Sequence, residues 1–176
     1  MLNTVVLVDE HDNPIGVEEK LKAHQEGLCH RAFSIFILRE KNGKFETLLQ
    51  QREKSKYHSG GLWTNTCCSH PKPDHDLLQD AEDRLFEEMG IRTALKEIGS
   101  FHYKADLNNG LIENEWDHVL VGICDVDAPR FNPEEVQDYR WVDFESLEND
   151  LKTHPEKYTA WLYEALQIVL HWIPYY

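Results

Sequence analysis

Positive charge is scarce in this 176-residue chain: 18 basic side chains stand against 32 acidic ones, for a formal net charge of −14. A surface so negative repels nucleic-acid phosphates and anionic lipids, so neither is expected as a partner. An anionic ligand would need a local cluster of cations, or a metal, to offset that field. Cysteine is sparse too. Cys29, Cys67, Cys68 and Cys124 include one adjacent pair and no C-x-x-C spacing. That excludes a disulfide framework and points to a reducing, cytoplasmic setting. No hydrophobic run approaches the length of a membrane span. The opening MLNTVVLVDEHDNP reaches acidic residues before any long apolar stretch and has no basic flank, so no signal peptide is expected. Repeats, low-complexity tracts and Pro/Gly-rich linkers are missing as well. What remains is one expected domain, residues 1–176, of a size that suits a single core. Its five Trp, seven Tyr and seven Phe supply bulky core material.

Patterning gives the elements. Thr4–Asp9 and Ile15–Glu18, around a polar turn at Glu10–Pro14, read as a hairpin. Ala32–Arg39 and Thr47–Arg52 flank Asn42-Gly43, a strong hairpin signal. Gly60-Gly61 breaks the chain before Leu62–His70, which reads as a loop with some extended character. Leu77, Ala81, Leu85 and Met89 recur every four residues, predicting a helix over Asp76–Met89 with Asp76 as N-cap and Gly90 as stop. Strands are expected near Glu97–Lys104, Leu111–Val126 and Asp138–Val142. A helix is expected to begin near Phe144, and another to fill Thr159–Trp172. This pattern predicts an α+β or three-layer α/β/α fold.

Chemistry concentrates in a few segments. On a strand, Glu113 and Glu115 point to one face, which continues through Asp117 to Val119, Val121 and Ile123. A solvated strand end is the ordinary fate of such acids; carboxylates entering a core need a cation or a proton. His24, His30 and His70 offer three nitrogens. Together with the two Glu they make a set suited to a five- or six-coordinate Mn²⁺, Mg²⁺ or Zn²⁺ ion rather than to a closed thiolate zinc site. His58, His75, His102, His118, His154 and His171 have no such company in sequence and read as structural or exposed. Residues 81–91 end in Glu87-Glu88-Met89-Gly90-Ile91, the tail of a Nudix box, R-E-U-x-E-E-x-G-U with U aliphatic. Asp83 and Arg84 stand in its R-E positions, so the hydrolytic helix is incomplete. Arg84 and Glu88 share a helix face.

From about Val5 through Trp161 the chain resembles the type I isopentenyl-diphosphate delta-isomerases, Nudix-fold proteins that do not hydrolyse diphosphate. The resemblance rests on five pieces in order: His24 with residues 29–34 (CHRAFS), residues 50–52 (QQR), residues 64–71 (TNTCCSHP), residues 101–105 (FHYKA) and residues 113–115 (ENE). It implies a mixed β-sheet core packed between helices and conversion of isopentenyl diphosphate to dimethylallyl diphosphate. It implies one divalent metal on His24, His30, His70, Glu113 and Glu115. Cys68 and Glu115 would be the catalytic pair, with Tyr103 hydrogen-bonded to Glu115. Lys20, Arg52, Lys56, Ser69 and Arg84 would bind the diphosphate and Trp161 would face the hydrocarbon. Glu88 and the backbone carbonyl of Cys68 would hold a second ion, Mg²⁺, on the diphosphate. The expected partner is this small diphosphate, with no nucleic acid or membrane, and the expected state a monomer or weak homodimer. Two rival readings make different predictions. A Nudix hydrolase would release phosphate from nucleoside diphosphate derivatives. A binding domain with a structural zinc would unfold when stripped of metal.

Overall fold

The computed structural model describes residues 3–175. β1 (Thr4–Val8) and β2 (Pro14–Glu19) pair as an antiparallel hairpin. A short helix, α1 (Lys20–Glu26), follows; it was not legible in the sequence. Its N-cap is Glu19, whose carboxylate accepts from the amides of Leu21 and Lys22, and Gly27 closes it in the left-handed conformation. β3 (His30–Lys41) and β4 (Lys44–Arg52) turn at Asn42-Gly43, as that dipeptide predicts. The expected irregular stretch contains two short strands, β5 (Trp63–Thr64) and β6 (Cys67–Ser69).

α2 (Leu77–Met89) matches the four-residue apolar repeat. The Asp76 carboxylate accepts from Leu78 N at 2.9 Å, and Gly90 ends the helix at φ 67°. A Cβ on Gly90 would lie 2.6 Å from the carbonyl oxygen of Arg130, so glycine serves both the turn and the close approach. β7 (Lys96–Asp106) and β8 (Ile112–Ile123) form a long antiparallel ribbon, followed by β9 (Val136–Asp143), α3 (Phe144–Thr153) and α4 (Leu162–Trp172). β8 stops short of the expected Val126, and Ile123, expected to face the core, is 40% exposed. α4 begins three residues after the expected Thr159.

The nine strands of the described residues form one mixed sheet with β3 as its spine. β8 runs parallel along one edge of β3 from His30 to Leu38. The other edge is shared by β1 at His30, β6 at Phe33–Ile35 and β4 from Leu38 onward. Alternate side chains of β3 enter two cores. Phe33, Ile35 and Ile37 pack with Leu48, Leu120 and the Ala81, Leu85 and Met89 stripe of α2. Phe36 and Leu38 pack with Val119, Val121 and the apolar faces of α3 and α4. A fully buried leucine such as Leu85 or Leu162 contributes roughly 2 kcal/mol of transfer free energy. The fold is α+β, with a sheet between helices. Among the described residues no helix is long and apolar enough to cross a membrane.

Candidate active site

The α3/α4 face of the sheet changes character partway along. On β3, Phe36 and Leu38 give way to Ser34, Ala32 and His30. On β8, Val121 and Val119 give way to Asp117, Glu115 and Glu113. Because β3 and β8 are in register (His30 beside Glu115, Ser34 beside Val119), one continuous face passes from oil to acid. α1 and the loop of residues 53–62 lie against its polar end, so this strand end is not solvated: Glu113 and Glu115 are only 2% and 5% exposed.

His24 of α1, His30 of β3, His70 just after β6, and Glu113 and Glu115 of β8 converge there. One ligand atom from each lies within 4.8 Å of every other. His24 Nε2 is 2.9 Å from Glu113 Oε1; His30 Nε2 and His70 Nε2 are 3.2 and 2.8 Å from Glu115 Oε2. The Nδ1–H groups of His24 and His30 donate to the carbonyls of Lys20 (2.8 Å) and Leu28 (2.9 Å), which aims both Nε2 atoms at the carboxylates. His24 Nε2, His30 Nε2 and Glu113 Oε1 are buried without a well-aligned hydrogen bond. Burial opposes a charge on His30, yet the adjacent Glu113 and Glu115 push it up to about 10. Burial pushes His70 down to about 4. Orphaned nitrogens and acidic oxygens packed this closely, with oxygen and imidazole donors only, fit a divalent cation.

His58 joins this group only in the fold. Of the two roles the sequence leaves open for it, structural or exposed, it takes a buried one, stacked on His24 with ring centroids 5.2 Å apart. Its Nε2 is 3.6 Å from Glu113 Oε2, and burial pushes it down to about 3. Nothing local in sequence marks it; the fold of residues 53–62 delivers it. Tyr57, on the same loop, was likewise missed and borders the cavity.

The cavity is bordered by Cys68, Ser69, His70, Glu113, Glu115 and Trp161, and by the cations Lys20, Arg52, Lys56 and Arg84. Burial, then repulsion from Lys56, Arg84 and Arg52, lowers the Lys20 ammonium. Tyr103 does not border the cavity but sits across the β7–β8 ribbon from Glu115, and its phenol donates to Glu115 Oε1. Glu88 lies behind Arg84. It accepts from Arg84 Nε at 2.6 Å and from Gln50 Nε2 at 3.0 Å.

Strand alternation separates the two adjacent cysteines. Cys67 is fully buried in the α2-side core, whereas Cys68, paired with Ser34, turns to the cavity. Its Sγ is 3.0 Å from Asn65 Oδ1 and 3.2 Å from Trp161 Nε1. Burial, then the nearby Asp117, pushes the thiol up to about 12. Asp117 is itself buried, accepting from Ser34 Oγ at 2.7 Å. The sequence placed Asp117 on this face without assigning it a part.

The NUDIX domain model matches residues 29–162. The isopentenyl-diphosphate Delta-isomerase of Pectobacterium atrosepticum is 49% identical over 160 residues, covering 91% of this chain and 87% of that protein. The isomerase of Photobacterium profundum is 49% identical over 169 residues, covering 95% and 94%. Among solved structures, the DR0079 protein of Deinococcus radiodurans superposes with TM-score 0.75 at 16% identity, covering 93% of this chain and 97% of that one. The MutT protein of Methanosarcina mazei Go1 gives 0.62 at 19% identity, covering 79% and 91%. These two likenesses concern the fold alone.

Proposed function

The chain belongs to the NUDIX family and, within it, to the isopentenyl-diphosphate Delta-isomerases, and we propose that it interconverts isopentenyl and dimethylallyl diphosphate by proton transfer at Cys68 and Glu115. One observation carries this reading: Cys68 and Glu115 border one cavity whose other residues include Trp161 and the four cations Lys20, Arg52, Lys56 and Arg84.

Moving the double bond requires a proton added at the terminal carbon and one removed from the carbon two bonds away. The electron-poor intermediate resembles a tertiary carbocation. Cys68 and Glu115 come from strands on opposite edges of β3, so a flat five-carbon chain can lie between them. Tyr103 holds one oxygen of Glu115 and stands ready to pass a proton to it. The Trp161 ring, whose N–H points at Cys68, shields the cationic carbon from water and stabilises it by about 2 kcal/mol. Lys20, Arg52, Lys56 and Arg84, with Ser69, hold the diphosphate, so binding energy from the unreactive end aligns the reacting one.

His24, His30, His70, Glu113 and Glu115 would hold one divalent ion, Mn²⁺, Mg²⁺ or Zn²⁺; the donor set excludes none of the three. When bound, it supplies fixed positive charge that tunes the acidity of Glu115. Glu88, with the Cys68 carbonyl, would hold a Mg²⁺ ion that travels with the diphosphate. In this reading Asp83-Arg84 replaces the hydrolytic pair: Arg84 points to Glu88 and to the loop carboxylate of Glu135 rather than offering an acid.

Proton NMR of isopentenyl diphosphate incubated with the metal-loaded protein in D₂O tests the proposal. Deuterium entering dimethylallyl diphosphate is the expected result. Rapid phosphate release from nucleotides, with no deuterium incorporated, would return the chain to the hydrolases.

A further inference from the structure

Lys56 and Arg84 reach the cavity from unrelated parts of the chain, the loop after β4 and the middle of α2. Both are cations, and nothing in their own elements fixes the gap between them. A third segment does. Glu135, in the turn before β9, places Oε2 3.0 Å from Arg84 Nη2 and ion-pairs through the same oxygen with Lys56. Its backbone is tied to the same two elements: the amide of Glu53 donates to the Glu135 carbonyl at 3.2 Å, and the amide of Asn132, three residues earlier, donates to the carbonyl of Glu88 at 2.8 Å. The turn is thus bolted to the loop that carries Lys56 and to the helix that carries Arg84.

Glu135 also differs from the other carboxylates near Arg84. Glu87 is largely exposed, and Glu88 is buried and engaged with Gln50. Among the described residues, Glu135 alone bridges two of the cavity's cations. Like charges forced together without an anion between them splay apart or bind water. The Glu135 carboxylate is held below the usual range: burial opposes this, but Lys56 and Arg84 prevail. It is therefore charged at neutral pH.

We infer that Glu135 is a positioning residue for the diphosphate, one carboxylate that sets the spacing of Lys56 and Arg84 so that both reach the same anionic group. The inference rests on the proposed isomerase reading. Its role is distinct from a competitor's, because a carboxylate that merely occupied the cations would weaken substrate binding by its presence rather than by its loss.

Steady-state kinetics on isopentenyl diphosphate, with inorganic pyrophosphate as inhibitor, decides this for the metal-loaded full chain and its E135Q, E135A and E135D variants. Glu135 is partly exposed, so glutamine is expected to fold normally. E135Q and E135A should raise both KM and the pyrophosphate inhibition constant about tenfold, the size of one lost charge-assisted contact. kcat at saturation should move no more than about twofold. E135D should recover part of the loss. Unchanged constants would overturn the inference, and so would tighter binding, which would mark Glu135 as a competitor for the cations. A wild-type protein that neither turns over isopentenyl diphosphate nor binds pyrophosphate would overturn the isomerase reading, and the inference with it.

Discussion

Tyr103 and Glu115 are directly paired across the β7–β8 ribbon, and the Tyr103 phenol donates to one carboxylate oxygen while His30 and His70 approach the other. Glu115 is thereby divided: one oxygen faces the cation-seeking nitrogens and one faces a proton donor. Tyr103→Phe removes only the second relationship. It should lower kcat about a hundredfold while leaving metal content and melting temperature close to wild type. An unchanged kcat in a folded, metal-loaded variant would detach Tyr103 from the chemistry.

The neighbours Cys67 and Cys68 should separate cleanly by mutation. Cys68→Ala should abolish double-bond migration and retain pyrophosphate binding. Cys67→Ala should keep turnover within about threefold and cost about 1 kcal/mol of stability, because it hollows the core under α2. Turnover surviving in the first variant, or vanishing in a folded second one, would reverse the assignment.

Glu113→Gln tests the metal group apart from turnover. The buried atoms of His24, His30 and Glu113 that lack a well-aligned hydrogen bond should cost stability whenever no cation joins them. Added Mn²⁺ should therefore raise the wild-type melting temperature, with a smaller rise for the variant and at least about tenfold weaker binding by titration calorimetry. Identical metal responses in both proteins would place the ion elsewhere. Chelation should lower the melting temperature without unfolding the chain, since two hydrophobic cores remain intact on either side of the sheet.

A pH effect is expected outside the cavity. Asp150 on α3 accepts from Tyr158 Oη and lies 3.2 Å from His154 Nδ1 and 3.8 Å from Lys157 Nζ. The Tyr158 hydrogen bond first, and then Lys157 and the His154 ring, hold its carboxyl below the usual range. A carboxyl depressed on folding contributes stability that is present above its unfolded value of about 3.9 and lost as pH falls through the lower folded value. Asp150→Asn should thus be less stable than wild type at neutral pH, with the gap closing in acid. Urea unfolding at pH 7 and near pH 3 checks the sign; a gap independent of pH would refute it.

Elements whose signal is local could be read from sequence. α2 carries its stripe and both caps within fifteen residues, and Asn42-Gly43 dictates its own hairpin. α1 was invisible because seven residues hold only Leu21 and Ala23 as apolar positions, and a glutamate serves as the N-cap. The burial of Glu113 and Glu115 was hidden for a different reason. Alternation along β8 gives their shared face, but what covers that face is α1 and the 53–62 loop, both remote in sequence. His58 and Glu135 belong to the same class. Each matters through partners that only the tertiary fold supplies. The motif segments contain Arg52, Cys68, Ser69, His70, Glu113 and Glu115, which border the cavity; they carry no information about what props those residues in place.

The 53–62 loop itself is held by a glycine with a tight neighbour: a Cβ on Gly60 would come 2.4 Å from the carbonyl oxygen of Lys54. The wider constraint comes from β3. Of its even-numbered residues, His30 turns to the His/Glu cluster and Ala32 and Ser34 border the cavity, while Phe33 and Ile35 pack into the α2-side core. The strand therefore works like a reading frame. A one-residue insertion between Cys29 and Ser34 would present phenylalanine where alanine or serine belongs and drive polar groups under α2. Length variation in descendants of this chain should accordingly collect in surface turns, such as the one at Asn42-Gly43, and spare the first five positions of β3.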